Sequence, residues 1–335
     1  MPVLFDASMA FSRLAHAHAS YVLQSVGVEH LVIKGPTLEG WLLEPGGRCS
    51  VDVDLLVPPS RIDAAVAALQ SAGFRSTEVS MRPGEHVAHA RTLVPHGQGL
   101  EIDVHDRLPG LADPEAAWIA LAAEADTMRL GARAIPVPSV RARLVILLLT
   151  AARDGIKASH YTAAVELALE RLDEEVWRSA AALARELGAE GALRAALDLS
   201  AEGRQRAEQL GITEGPSLVW QLWSQSHRGP VVQLARLLES PKRTWPSFLL
   251  NELLPSPAFM RSIDRRATKG PLALLCAYVR RFLQLLRLMP DNLRTLRALL
   301  RARRKGTLSA SPWVQGAGRR VKSMKGQSTN SGDHL

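Results

Sequence analysis

The stretch from Val51 to Val57 constrains this chain most, because it alternates apolar and acidic residues like a half-buried strand. It reads Val-Asp-Val-Asp-Leu-Leu-Val. Successive residues of a strand point to opposite faces, so Asp52 and Asp54 share one face. Two carboxylates this close repel each other and are poor strand formers. A bound cation would relieve the repulsion, and Mg2+ prefers carboxylate and phosphate oxygens as ligands.

A second acidic segment, Leu100 to His105, alternates in the same way and reads Leu-Glu-Ile-Asp-Val-His. Asp103 and His105 fall on its polar face. If this strand pairs beside the first, Asp103 meets Asp52 and Asp54 around one metal cluster. Metal ions held by such a cluster can stabilise both the attacking and the leaving oxygen of a phosphoryl displacement.

Three further residues are candidates for binding a nucleotide. Lys34 ends an apolar run just before Gly35, and it either reaches phosphates as a point charge or is a surface lysine. Arg48 either orients the carboxylates or contacts a nucleotide phosphate, and a plain loop arginine is the alternative. His105 either supports Asp103 or contacts the nucleotide, or it is a structural histidine at the end of a strand.

These motifs together resemble a known family. Lys34-Gly35, then R-x3-D-x-D-L-L-V from Arg48, then E-I-D-V-H from Glu101, is similar to the stand-alone bacterial nucleotidyltransferases of the DNA polymerase β superfamily. The resemblance covers roughly the first half of the chain. It extends more weakly into the second half, where L-P-S-P from Leu254 and the following Arg261 are similar to a segment of these proteins.

The resemblance implies an α+β fold, with a polymerase-β-like domain of a small mixed sheet and flanking helices followed by an all-helical domain. Asp52 and Asp54 would be metal ligands, and Asp103 the third carboxylate. Gly35 would let the backbone approach the triphosphate. The chain departs from the family's Gly-Gly or Gly-Ser turn by having Lys34-Gly35-Pro36.

The family resemblance also implies a reaction. We expect Mg2+ or Mn2+ as cofactor, an NTP such as ATP as substrate, and transfer of the nucleotidyl group to a hydroxyl or phosphate of an unidentified acceptor. Relatives often accompany biosynthetic clusters for peptides or polysaccharides, so small molecules, peptides and sugars are the expected acceptors.

The distribution of charge predicts two halves and a tail. Residues 1–135 carry 10 Lys and Arg against 16 Asp and Glu, whereas the whole chain carries 41 against 33. We assign residues 1–135 to the catalytic domain, 136–304 to a helical domain that forms the cleft, and 305–335 to a basic, disordered tail. The basic C-terminal region either binds an anionic partner or consists of arginine-rich helices that solvate themselves.

The sequence also predicts the positions of several helices and the cellular location of the protein. Helices are expected over residues 37–43, 190–210, 217–238, 272–289 and 291–304. No run is long and apolar enough for a transmembrane segment, and the only cysteines, Cys49 and Cys276, are far apart. We therefore expect a reducing, cytoplasmic location.

Other functions use the same residues. A phosphotransferase on this scaffold would move the γ-phosphate, and the carboxylates would serve it equally. In a non-catalytic basic binding protein, the D-x-D motif would be vestigial and would have no catalytic role. A nucleic-acid polymerase or tRNA-tailing enzyme is a further alternative, although the sequence contains no recognisable RNA-binding module.

Overall fold

The computed structural model of the chain describes residues 2–44, 50–77, 90–97 and 99–304, with side chains from residue 8 onward. Arg48 and the tail predicted over 305–335 lie outside the described residues. None of the helices within the described ranges combines the length and the apolar run that crossing a membrane requires.

The strands form one mixed sheet and one separate hairpin. The strands are β1 (Leu31–Ile33), β2 (Asp52–Leu56), β3 (Phe74–Ser76), β4 (Arg91–Pro95), β5 (Glu101–His105), β6 (Asp126–Leu130) and β7 (Arg133–Val137). The sheet has the order β1-β2-β5-β4-β3, and β6 pairs with β7. Within the sheet β2 and β5 run parallel to each other, whereas the pairs β1–β2, β4–β5 and β3–β4 are antiparallel.

Helices flank the sheet and make up the second half of the described chain. They are α1 (Pro2–Ser25), α2 (Ile62–Ser71), α3 (Pro114–Ala123), α4 (Val140–Asp154), α5 (Ser159–Arg171), α6 (Glu174–Glu186), α7 (Glu190–Leu197), α8 (Ala201–Gln209), α9 (Leu218–Ser224), α10 (Pro230–Glu239), α11 (Trp245–Leu253), α12 (Pro257–Ile263) and α13 (Pro271–Arg304). The small mixed sheet followed by helices confirms the predicted α+β class.

The sheet buries both of its faces, one in each of two apolar clusters. Val53 and Val104 alternate with the acidic residues and lie with α1 and α2 in one cluster. On the opposite face Ile33 and Leu56 lie with α4 in a second cluster. Asp54 sits two residues before Leu56 and points to the same face. The acidic residues therefore face the helical half of the chain.

Helix α4 joins the two halves because it is buried along almost its whole length. Its residues from Leu144 to Ala152 are buried, and the cluster around them includes Trp118 from α3 and Trp177 from α6. Burying this much apolar surface is the main stabilising contribution that such a helix makes. This cluster draws residues from both sides of residue 135, and the division into domains there stays a prediction.

Two of the predicted helices are broken in the structure. The helix predicted over 190–210 ends at Leu197 and restarts at Ala201, because the Ser200 hydroxyl accepts a hydrogen bond from the Gly203 amide and caps a new helix. The helix predicted over 217–238 is interrupted by Ser226, whose φ is 60°. Both interruptions are local capping and turn features inside a continuous helical pattern.

Two other helix predictions differ from the structure in opposite directions, since one helix is shorter than predicted and another is longer. The helix predicted over 37–43 is only a 3₁₀ helix at Gly35–Leu38, since Gly40 adopts a φ of 81°. In contrast, α13 continues through Pro290 and unites two predicted helices. A proline inside a helix removes one backbone hydrogen bond but does not always end the helix.

His30 ties the start of the sheet to α1 as a neutral, buried side chain. Its Nδ1 lies 3.1 Å from the Val28 carbonyl and its Nε2 lies 2.7 Å from the Ser20 hydroxyl. A carbonyl oxygen only accepts, so Nδ1 carries the proton and Nε2 accepts from Ser20. Burial lowers the pKa of His30 below the ordinary histidine value of 6.5.

We predict that His30 makes the fold less stable in mild acid. Below about pH 6.5 the unfolded chain binds a proton that the folded His30 excludes, so the free energy of unfolding falls by at most about 1.4 kcal/mol per pH unit. Urea denaturation of wild type and His30→Gln at about pH 7.5 and about pH 5.5 measures this loss. The variant should show a smaller loss, whereas the exposed His18→Gln should behave like wild type. An equal loss in His30→Gln and wild type would refute the assignment.

Candidate active site

The central parallel pair of the sheet places the acidic residues side by side. Asp54 on β2 is directly opposite Asp103 on β5, and Asp52 is opposite Glu101. Partners in a parallel register point to the same face of the sheet. The predicted pairing of the two alternating segments is thus present, and the carboxylates of Asp54 and Asp103 converge.

Asp54 is the most deeply buried of these carboxylates and has two partners. Its Oδ1 accepts a hydrogen bond from Lys34 Nζ at 2.7 Å and one from His105 Nε2 at 2.8 Å. Burial by itself raises the pKa of the Asp54 carboxyl, but the His105 hydrogen bond and the Lys34 charge outweigh it and hold that pKa well below its usual range. Asp54 is therefore a carboxylate anion.

The same ion pair fixes the charge of Lys34. Burial lowers the pKa of its amine, but the nearby Asp54 carboxylate outweighs burial, so that the pKa of Lys34 is raised. A buried charge without a partner would be strongly destabilising, whereas this pair satisfies both groups. Lys34 therefore brings a permanent positive charge to the carboxylates.

Asp103 completes a group of side chains with the spacing of metal ligands. Ligand atoms of Asp54, Asp103 and His105 all lie within 4.8 Å of one another. The Thr92 hydroxyl donates to Asp103 Oδ1 at 2.5 Å from the neighbouring strand β4 and holds that carboxylate in place. Carboxylate oxygens and an imidazole nitrogen suit a divalent cation.

Asp52 lies at the edge of this group. The Ser50 hydroxyl is 3.2 Å from Asp52 Oδ1 and 2.8 Å from the Asp52 carbonyl. Burial and then the neighbouring Asp54 charge raise the pKa of the Asp52 carboxyl. The three predicted carboxylates are thus electrostatically coupled, and His105 lies with two of them. The roles of Asp52, Asp54 and Asp103 as metal ligands stay predictions.

The turn after β1 is strained. Lys34 has a φ of 58° and Gly35 a φ of 48°. A non-glycine residue in this region raises the energy by about 1–3 kcal/mol and persists only where its surroundings hold it. For Lys34 the ion pair with Asp54 is such a constraint. This turn thus aims the lysine amine at the carboxylates.

Gly35 is closely surrounded, and His16 is one of its neighbours. A Cβ at Gly35 would lie 3.0 Å from His16 Nε2 and 3.1 Å from the Ser50 hydroxyl. His16 Nδ1 is 2.8 Å from the Ser12 carbonyl and so carries the proton, which leaves Nε2 an acceptor. Within the described residues this buried nitrogen has no hydrogen-bond partner. Burial lowers the pKa of His16 and keeps it neutral.

The sequence did not indicate the positions of Thr92, Ser50 and His16. Thr92 reaches Asp103 only through the pairing of β4 with β5, and His16 reaches the turn only through packing of α1. Ser50 lies two residues before Asp52, so the period of the strand could have indicated it. Arg48 lies outside the described residues, and its predicted contact with phosphate stays a prediction.

A comparison of sequences decides the family. A family model described as an uncharacterised nucleotidyltransferase matches residues 17–203, which is more than half of the chain. The chain belongs to this nucleotidyltransferase family. It is therefore a transferase, as the D-x-D motif and the later aspartate predicted. The match covers both acidic strands and the helices from α4 to α7.

Two solved structures are similar over about half of the chain. An antigenic nucleotidyltransferase-like protein from Paracoccidioides brasiliensis is 15% identical, with 53% of this chain and 89% of that chain covered and a TM-score of 0.34. The antibiotic-resistance factor ANT(2'')-Ia is 17% identical, with 50% and 89% covered and a TM-score of 0.37. No curated protein matches the sequence.

We predict that Gly35→Ala disturbs the turn more than Gly40→Ala. Both glycines have a positive φ, which adds about 1–2 kcal/mol for alanine. Only at Gly35 would the new Cβ also crowd His16 and Ser50, because nothing lies within 4 Å of a Cβ at Gly40. Chemical denaturation of both variants measures the difference. Equal destabilisation would show that the close approach at Gly35 has no structural importance.

Proposed function

We propose that this nucleotidyltransferase moves a nucleoside monophosphate from an NTP such as ATP to a hydroxyl or phosphate of an acceptor, with Mg2+ or Mn2+. The observation that carries the proposal is the group of Asp54, Asp103 and His105 beside the Lys34–Gly35 turn. Because relatives often accompany biosynthetic clusters for peptides or polysaccharides, we expect the acceptor to be a peptide, a sugar or another small molecule.

The donor atoms fit a hard divalent cation. Asp54 and Asp103 supply oxygens on neighbouring strands, and Asp52 lies two residues before Asp54 on the same face. A cation held by these carboxylates would stabilise the charge that develops on the transferring phosphoryl group. Lys34 supplies a further positive charge close by and could neutralise phosphate oxygens once it is released from Asp54.

The chemistry needs no covalent enzyme intermediate. The acceptor oxygen forms a bond to the α-phosphorus, the bond from that phosphorus to the oxygen bridging to the β-phosphorus breaks, and pyrophosphate leaves. Asp103 is the base that takes the acceptor proton, and Thr92 orients it. His105 positions Asp54 through the bond at Nε2.

The proposal extends to the location and to a second partner. We infer a reducing, cytoplasmic location from the two widely separated cysteines. The C-terminal helix α13 ends with Arg301, Arg303 and Arg304 in its last turn. Such a basic segment favours an anionic partner, whose attraction salt should screen.

We predict that Asp54→Asn and Asp103→Asn each lower nucleotidyl transfer by at least about a hundredfold, since each removes an anionic oxygen from the metal site. Each common NTP is incubated with Mg2+ or Mn2+ and a panel of hydroxyl- and phosphate-bearing acceptors, and product masses are measured. The matched control is Asp63→Asn, whose side chain is 87% exposed on α2 and pairs with Arg91.

The product mass separates the alternatives. Addition of a nucleoside monophosphate supports the proposal, whereas addition of a single phosphoryl group would show a phosphotransferase. Circular dichroism establishes whether each variant folds. A folded Asp103→Asn with full activity would contradict the role of the carboxylates, even if Asp54→Asn were lost through misfolding.

A further inference from the structure

A cleft with a volume of about 640 Å³ opens between the loop that follows β5 and the helices α4, α9 and α10. Its volume is in the range of small-molecule sites. Its lining includes Arg107, Arg153, Arg228 and Arg236. It is therefore a basic cleft built largely by the helical half of the chain.

The cleft shares part of its wall with a narrow pocket at the candidate active site. A narrow pocket is lined by Lys34 and His105, and also by Leu108, Pro109 and Arg153. The last three residues line the large cleft as well. Leu108 follows His105 by only three residues, so strand β5 leads directly from the carboxylates into the wall of the cleft. The cleft and the candidate active site therefore lie next to each other and have Leu108, Pro109 and Arg153 in common.

Two of the arginines in the cleft make no direct ion pair within the described residues, although the Glu252 carboxylate acts on Arg236 from a distance. Within the described part of the chain, the guanidinium groups of Arg153 and Arg236 form no hydrogen bond or ion pair with another side chain or the backbone. Both side chains are half-buried. Partly buried charges are normally paired, so two unpaired cations in one cleft indicate an anionic ligand.

The arginines of the cleft also act on each other's pKa values. Burial lowers the pKa of Arg236, the Glu252 carboxylate raises it, and the nearby Arg153 lowers it further. Burial likewise lowers the pKa of Arg228, and Arg153 contributes to that shift despite the opposing Asp154 charge. Arg153 also acts on Lys34 in the active site. Arg153 is therefore close enough to act on Arg228 and Arg236 in the cleft and on Lys34 in the candidate active site.

Arg228 holds the cleft together. Its guanidinium donates to the backbone carbonyls of Arg153 at the end of α4 and of Trp223 and His227 at the end of α9. It thereby satisfies carbonyls at two helix C-termini. Substituting Arg228 would remove these structural hydrogen bonds together with a positive charge. Arg228 is therefore unsuitable for testing the role of the charge.

An apolar wall lies next to the cations. Trp220 and Trp223 pack edge to face with ring centroids 5.0 Å apart, and the Arg236 guanidinium lies 5.2 Å from the Trp223 ring centre. Gly110, with a φ of 99°, admits Trp220, because a Cβ there would come within 2.8 Å of its ring. Aromatic faces beside guanidinium groups suit a ligand with an apolar or aromatic part and an anionic group.

We propose that this cleft binds the acceptor, and that the acceptor carries a phosphate or carboxylate beside an apolar or aromatic portion. The inference rests on the proposed function, since a nucleotidyl transfer requires a second substrate next to the NTP. The nucleotide phosphates belong at the carboxylates and the Lys34–Gly35 turn. Arg153 and Arg236 then bind the anion of the acceptor, with Trp223 against its apolar part.

Calorimetric titration of the full chain with phenyl phosphate tests the proposal. Arg236→Met and Arg153→Met keep an apolar stem and remove the charge, and each should weaken phenyl phosphate about tenfold, as loss of a charge-assisted hydrogen bond does. In Arg236→Met, whose side chain does not line the pocket with Lys34, affinity for Mg-ATP should stay within about twofold. Arg178→Met on α6, 67% exposed and paired with Glu174, is the matched control and should match wild type.

Further probes decide the chemistry of the ligand. Phenol, which lacks the anion, should bind at least about tenfold more weakly than phenyl phosphate or benzoate. Arg236→Lys, which keeps a charge, should retain most of the binding and guards against a folding defect in Arg236→Met.

Three results would overturn the assignment: no binding of phenyl phosphate or benzoate by wild type, equal binding of phenol, or a parallel loss of Mg-ATP affinity in Arg236→Met. The last result would place the NTP polyphosphate in the cleft. Asp54→Asn should lose transfer and still bind phenyl phosphate. If no nucleotidyl transfer is found and the probe binds as expected, the proposed function fails and the anion site stands.

Discussion

The burial of the Asp54 carboxylate is the constraint on which the rest of the site depends. A carboxylate inside the protein requires a positive partner or hydrogen-bond donors, and Asp54 has Lys34 and His105. Satisfying Asp54 holds Lys34 in a strained backbone conformation after β1 and aligns the ring of His105 at the end of β5. Three strands are thus tied to one oxygen atom.

The sheet carries the carboxylates of the candidate site, and the helices carry most of the arginines that line the cleft. One face of the sheet packs on α1 and α2 through its apolar residues, and the other presents the carboxylates toward α4. Helix α4 continues past the carboxylates to Arg153, which lines both the narrow pocket and the basic cleft. The acidic side suits a cation with its phosphates, and the basic side suits an anion. The separation of charge seen in the sequence is thus present in the structure as carboxylates on the sheet and arginines along the cleft.

The sequence predicted the parts of the fold that depend on a local period. The alternation around Asp52 and Asp54 and the alternation around Asp103 predicted two strands with polar faces, and the resemblance added the α+β class. Contacts between strands have no such local pattern, so the bonds of Thr92 to Asp103 and of Lys34 to Asp54 appear only in the structure. Helix boundaries were wrong where one capping residue decides, as at Ser200, or where a proline does not end the helix, as at Pro290. The basic cleft was not predicted, because Arg153 and Arg236 are distant in the sequence.

We propose that Asp54 and Asp103 together hold a divalent cation and that Lys34 then leaves Asp54. A crystal structure with Mn2+ and a non-hydrolysable NTP, with anomalous scattering recorded for the metal, tests both steps. We expect an anomalous peak in contact with both carboxylates, with the Lys34 amine turned from Asp54 to a phosphate oxygen. A saturated crystal with the Lys34–Asp54 pair intact and the metal bound elsewhere would contradict it.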